Sequence, residues 1–213
     1  MGKKSLPTDL NRLFVAYKPS GMSSNRFLST LKRKYKTKKA GYSGTLDPFA
    51  KGVLIVALGN YTKLFRFLDK APKTYRATLW LGAKSDTLDI EGITKDSIYE
   101  TKEVTLVKIK NSLKKLEGEL TYDPPIFSAK SIDGVRAYDL ARAGKEVKLQ
   151  QITSNIFNTK LIHYSHPFLT FEATVSEGTY IRSLGDLIAK DLGVEFGSLT
   201  ALERLSEGKF RYK

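Results

Sequence analysis

The chain contains no cysteine. Disulfides, thiolate nucleophiles and cysteine-ligated zinc are therefore excluded. Histidine is almost as scarce: there are two, His163 and His166. They are too few, and too near predicted strand ends, to argue for a metal, and none is expected. No apolar run reaches the ~20 residues needed to span a bilayer. The start, Met1-Gly2-Lys3-Lys4-Ser5, has no apolar segment of a secretory signal. A cytoplasmic protein with no membrane association is expected. Neither Gly-x-Gly-x-x-Gly nor a P-loop occurs, so no nucleotide cofactor is implied, and no cofactor of any kind is expected. There is no internal repeat and no low-complexity linker. Carboxylates are in deficit too, with 22 Asp+Glu against 36 Lys+Arg and a net charge of +14.

That excess of positive charge points to a polyanionic partner, most often nucleic acid. It is also clustered: Lys32, Arg33, Lys34, Lys36, Lys38 and Lys39 fall within eight residues. Tyr35 and Tyr42 lie among and just after them. Basic side chains with interleaved aromatics suit phosphates and unstacked bases.

At 213 residues the chain has room for one domain that buries roughly 70% of its unfolded surface. Residues 1–11 are polar and contain Pro7, which predicts a flexible tail, with a single domain over 12–213. The run Val53-Leu54-Ile55-Val56-Ala57-Leu58 reads as a buried strand. Leu13 to Tyr17 reads as another, and Lys73 to Leu81 as a third, with Tyr75, Ala77, Leu79 and Leu81 on one face. Alternating runs at 152–163 and 167–175 predict an antiparallel pair. Helical stripes appear at Phe27, Leu28, Leu31 and Tyr35, where Ser23 or Ser24 can cap the helix. Others appear at Leu106, Ile109, Leu113 and Leu116, and at Tyr180, Leu184, Leu187, Ile188 and Leu192. The stretch 136–144 predicts a short helix ended by Gly144. The fold class is α+β: a mixed, mainly antiparallel sheet with flanking helices.

The stretch Gly41-Tyr42-Ser43-Gly44-Thr45-Leu46-Asp47-Pro48-Phe49 stands out. Pro48 fixes its own φ and pushes Asp47 away from helical geometry. A carboxylate on a stiff loop braced by a core strand is one way to present a reactive group. A turn whose Asp makes local backbone hydrogen bonds is the other. The acidic loop Asp86-Thr87-Leu88-Asp89-Ile90-Glu91 lacks EF-hand spacing. Arg182, in the first turn of the last helix, opposes the helix dipole, so it is either functional or a solvated surface residue.

Taken together, these segments resemble the TruB family, the bacterial tRNA pseudouridine-55 synthases. Lys38 to Pro48 is similar to the family's catalytic motif, and Lys18-Pro19-Ser20-Gly21 to its Lys-Pro-x-Gly turn. Tyr75 falls in its Lys-x-Tyr pattern. Pro124 to Ala129 resembles Pro-Pro-x-Tyr-Ser-Ala, Gly178 to Arg182 resembles Gly-Thr-Tyr-Ile-Arg, and Leu202 to Phe210 the family's ending. The resemblance departs from the pattern at Tyr42, where His is usual, and at Phe127, where Tyr is usual.

The resemblance implies a pseudouridine synthase fold and isomerisation of a T-loop uridine, with the target base flipped out of the RNA. Asp47 would be the catalytic carboxylate, acting as nucleophile or base, Tyr75 the residue under the base, and Arg182 the partner of Asp47. Lys18, Lys32, Arg33, Lys34, Lys36, Lys38, Lys39 and Tyr42 would meet the tRNA. So would Lys130, Arg136 and Arg142, in a region that grips RNA in relatives. Tyr42 is expected to project freely and stack in the gap left by the base. Many relatives carry a further C-terminal RNA-binding domain, for which this chain is expected to have no room. A monomer needing no protein partner is expected. The alternative is a tRNA-binding or folding protein with little catalysis. The catalytic subunit of a guide-RNA particle, whose chains are longer, is a more distant reading.

Overall fold

The computed structural model describes residues 10–128, 131–132, 135–136 and 149–212, with backbone alone at 131–132 and 135–136. The chain divides into two compact units, one of residues 1–73 and 203–213, the other of 74–202.

The first unit is built on β3 (Lys51–Leu58), whose Val53 to Leu58 are at most 1% exposed. An all-apolar run cannot alternate between core and water, so both of its faces need cover. Along one edge lies β1 (Arg12–Lys18), antiparallel, pairing Arg12 with Leu58 and Lys18 with Gly52. The short β2 (Ala40–Tyr42) pairs antiparallel with the end of β3, from Val56 to Leu58. α1 (Ser24–Lys34) is capped by Ser23, whose hydroxyl accepts from Arg26 N. Leu28 of α1 packs with Ala16, Leu54, Val56 and Leu58, while Phe27, Leu31 and Tyr35 cover the cluster. Each fully buried Leu or Val of the cluster contributes about 1.5–3 kcal/mol. A 3-10 helix spans Gly59–Phe67.

The second unit is a sheet in the order β10-β4-β9-β8-β5. β4 (Lys73–Leu81) has the expected bounds, and its Tyr75, Ala77, Leu79 and Leu81 are all buried. β8 (Ile152–Ser165) and β9 (Phe168–Val175) form the expected antiparallel pair. β5 (Gly118–Tyr122) pairs antiparallel with β8. The remaining hairpin, β6 (Ser131–Ile132) with β7 (Val135–Arg136), places the backbone of Arg136 in a strand rather than at the start of a helix. The rest of that expected helix lies outside the described residues.

α2 (Leu106–Lys115) buries Ile109 and Leu113, but Leu106 is 54% exposed. It is the first helical residue, and its side chain leans beyond the N-terminal end, off the buried surface. α3 (Ile181–Asp191) starts after Tyr180 and ends before Gly193, whose φ is +80°. No described helix is long and apolar enough to cross a membrane.

β10 (Gly197–Glu207) starts in the second unit, and its last five residues belong to the first. There Glu203 and Arg204 run parallel to Lys51 and Gly52 of β3, making the sheet mixed, while β11 (Phe210–Arg211) returns antiparallel on β10. Gly52 is required by this contact. Its φ is +118°, and an added Cβ would lie 2.3 Å from the Arg204 carbonyl oxygen. Backbone cannot yield as a flexible side chain does. Gly52→Ala is expected to lower stability by at least about 1–3 kcal/mol, read as a lower urea midpoint at unchanged slope.

Candidate active site

Asp47 is half-buried on an irregular loop between β2 and β3. Nearly every residue of the loop is tied down through its backbone. Ser43 N donates to Ile55 O at 2.9 Å. Arg204 Nη2 donates to Gly44 O at 2.9 Å. Ser24 Oγ donates to Leu46 O at 2.9 Å and accepts from Leu46 N at 3.0 Å. Ser24 is thus a loop clamp, which leaves the helix cap to Ser23. Gly21 N donates to Pro48 O at 2.9 Å, and Ala50 N to Asp47 O at 3.1 Å. Lys18 is fully buried, and its Nζ reaches Met22 O at 2.6 Å, Pro19 O at 2.9 Å and Pro48 O at 3.4 Å. The Lys-Pro-x-Gly turn therefore grips the residue next to Asp47 with both an ammonium and an amide.

The basic cluster leaves the end of α1. Arg33, Lys34, Lys36, Lys38 and Lys39 are exposed and Lys32 is half-buried. The helix closes with Thr37 N on Lys32 O and Lys36 N on Arg33 O, which puts Lys36 in the left-handed region at φ +49°. Tyr35 turns inward against Phe14, with ring centroids 5.5 Å apart. Tyr42 does not project freely, as the sequence had suggested. Its ring packs on the Leu28 cluster, and its hydroxyl donates to Asn25 Oδ1 at 2.9 Å. Lys130 and Arg142 lie outside the described residues, as does the side chain of Arg136.

In the second unit Tyr75 is 8% exposed on the inward face of β4. Arg182 is buried, which removes the solvated-surface alternative. Its Nη1 donates to Thr87 O at 2.8 Å and lies 3.3 Å from Asp89 Oδ2, while Nη2 donates to Phe127 O at 3.0 Å. The acidic loop thus has a structural purpose. Asp89 Oδ1 also accepts from Thr87 Oγ1 at 2.7 Å and from Glu91 N at 3.1 Å. Tyr122 anchors the start of α3: its hydroxyl accepts from Tyr180 N at 3.0 Å and shares a hydrogen bond with Ser154 Oγ. Burial pushes the Tyr122 pKa up, which keeps that hydroxyl neutral. The sequence reading missed both Asp89 and Tyr122. The signal for Asp89 was present, because an arginine drawn into a core needs a carboxylate and the Thr-Leu-Asp loop supplies one. Tyr122 left no such signal.

The Arg182–Asp89 pair is 5% and 3% exposed, so removing one charge takes a buried partner from the other. Asp89→Asn is expected to cost about 3–5 kcal/mol of stability, seen as a lowered thermal midpoint. Asp86→Asn, an exposed neighbour in the same loop, should leave the midpoint within about 0.5 kcal/mol of wild type.

Taken together, the loop offers a carboxylate on a rigid mount, a few residues along the chain from exposed cations, and a carboxylate so held can do acid–base or nucleophilic work. Comparison with known proteins places this arrangement. The family model described as TruB family pseudouridylate synthase (N terminal domain) matches residues 32–181. A tRNA pseudouridine synthase B of Sulfurimonas denitrificans is 68% identical over 203 residues, covering 95% of this chain and 74% of that protein. One from Nitratiruptor is 58% identical over 204 residues, covering 96% and 73%. Among solved structures, a chain of a Cbf5-Nop10-Gar1 complex is 27% identical with a TM-score of 0.73, covering 97% of this chain and 51% of that one. A chain of an H/ACA RNP bound to a substrate RNA is 26% identical with a TM-score of 0.67, covering 94% and 49%. The matched segment takes in Asp47, Tyr75 and Asp89 and stops one residue short of Arg182, and the chain belongs to the TruB family of pseudouridylate synthases.

Proposed function

We propose that this chain isomerises a uridine of tRNA to pseudouridine, at position 55 of the T-loop, with Asp47 as the catalytic carboxylate. The observation that carries the reading is the 68% identity, over 95% of the chain, to a protein named for this activity. The reaction breaks the bond from ribose C1′ to uracil N1, turns the ring, and joins C1′ to C5. The C5 proton leaves and N1 gains one, so nothing is imported and no redox change occurs. Asp47 serves as nucleophile or base, Tyr75 supports the extruded base, and Arg182 acts as the cationic partner of the site. Flipping the base costs a few kcal/mol. Lys32, Arg33, Lys34, Lys36, Lys38 and Lys39 bind the phosphates, joined by Lys130, Arg136 and Arg142, and the half-buried ring of Tyr42 offers a stacking surface. Lys18 contributes through the loop it holds. The protein works in the cytoplasm, as a monomer with no protein partner.

Incubation with an unmodified tRNA transcript, followed by mapping of pseudouridine, tests this reading. Product is expected at a single T-loop position. Asp47→Asn should abolish product and leave tRNA affinity within about twofold. Turnover by that variant would remove Asp47 from the chemistry. Loss of product at all positions with wild-type enzyme would favour a tRNA-binding or folding role.

The exposed cations make a second prediction. Log affinity for tRNA should fall linearly with log salt, by about 0.7–0.9 per phosphate contact. Replacing Lys36, Lys38 and Lys39 by Ser should reduce that slope by about two to three. An unchanged slope would move the tRNA away from this surface.

A further inference from the structure

The first unit buries three charges in one place. Lys73 and Glu207 pair at 3.4 Å with side chains 5% and 0% exposed, and Arg204 Nη2 lies 3.4 Å from Glu207 Oε2 at 1% exposure. Burying charges this deeply is costly, and apolar residues of similar volume often stabilise as well or better. The cluster is therefore not explained by stability alone. Its hydrogen bonds show what it holds. Ser43 Oγ donates to Glu207 Oε1 at 2.6 Å, a short, charge-assisted bond across 164 residues of sequence. Arg204 uses its planar fork in two directions, Nε to Val53 O at 2.8 Å and Nη2 to Gly44 O at 2.9 Å. One guanidinium thus joins the Asp47 loop to the core strand β3.

Gly44 fits against this cluster because it has no side chain. Its φ is +61°, and a Cβ there would lie 2.8 Å from Lys73 Nζ, 3.2 Å from Arg204 Nη1 and 3.3 Å from Glu207 Oε1. The glycine of the motif is thus accounted for by the charges packed on it.

We propose that Glu207, Arg204 and Lys73 form a buried charge lock that sets the position of the Asp47 loop through Ser43 and Gly44. Glu207 and Ser43 are then positioning residues of the reaction, acting through Asp47 without touching substrate. The inference rests on Asp47 as the catalytic carboxylate. Misplacing a reacting group by about 1 Å can cost a hundredfold in rate. The lock also explains why a glutamate near the C-terminus is fully buried although it lies far from the motif in sequence.

The test uses two variants of the full chain, with Asp47→Asn in parallel. Ser43→Ala deletes one hydroxyl and leaves the three charges in place. Glu207→Gln keeps shape and removes the charge. For each, kcat and KM for pseudouridine formation on a tRNA transcript are measured, with tRNA affinity and the thermal midpoint. Ser43→Ala is expected to lower kcat by about ten- to a hundredfold with KM and affinity unchanged. Glu207→Gln should lower kcat at least as far, and should also lower the thermal midpoint. If Glu207→Gln does not fold, Ser43→Ala alone decides. Wild-type kcat in folded Ser43→Ala, with Asp47→Asn inactive, would overturn the lock and leave the role of Asp47 intact. Product from Asp47→Asn would instead overturn that role, whatever the other two variants do.

Discussion

Backbone groups in an irregular loop have no ladder to pair with, and once buried each must find a partner elsewhere. The loop from Ser43 to Ala50 meets this constraint by borrowing donors and acceptors from remote segments. Lys18 and Gly21 come from the turn after β1, Ser24 from α1, Ile55 from β3 and Arg204 from β10. None of these contacts requires a particular side chain within the loop itself, whereas the Ser43 hydroxyl bond to Glu207 does. The loop is stiff because its surroundings over-determine its path. That in turn explains why β3 is buried on both faces and why β10 must approach it closely enough to demand Gly52. The mount for Asp47 is thus distributed over most of the first unit.

The elements of regular structure were legible from local pattern. The run from Val53 to Leu58 could only be an interior strand, and the alternation from Lys73 to Leu81 marked its own inward face. The antiparallel pair β8 and β9 was readable for the same reason. What was not legible was anything decided by a partner distant in sequence. Ser23 and Ser24 are equivalent as helix caps on local chemistry, and only the proximity of Leu46 separates them. Lys18 reads as one more surface cation in a basic chain, yet three carbonyls converge on its ammonium. The resemblance pointed to Asp47 and Arg182 by position, but not to the groups that hold them.

Arg182 shows how a local rule can single out a residue for a reason that the structure changes. A cation in the first turn of a helix is disfavoured by the dipole. The structure compensates for it locally, with the Asp89 carboxylate and the carbonyls of Thr87 and Phe127. The local conflict therefore reflects a dedicated cradle. Asp89 and Arg182 are therefore best considered together, because each is a buried charge that the other helps to balance.

The two departures from the family pattern can be judged in the same terms. At Phe127 the contact to Arg182 is made by the main-chain oxygen, which any residue supplies, so losing the tyrosine hydroxyl leaves that contact intact. At Tyr42 the side chain itself is engaged: its ring lies on the Leu28 cluster and its hydroxyl is bound by Asn25 of α1. A ring held by packing and through its hydroxyl loses little further freedom when another group stacks on it. A mobile ring would have to be ordered first. Fixing Tyr42 to α1 therefore favours a ready-made stacking surface. It also couples that surface to the helix whose far end presents Arg33, Lys34 and Lys36, so base and phosphate contacts would be set by one rigid element.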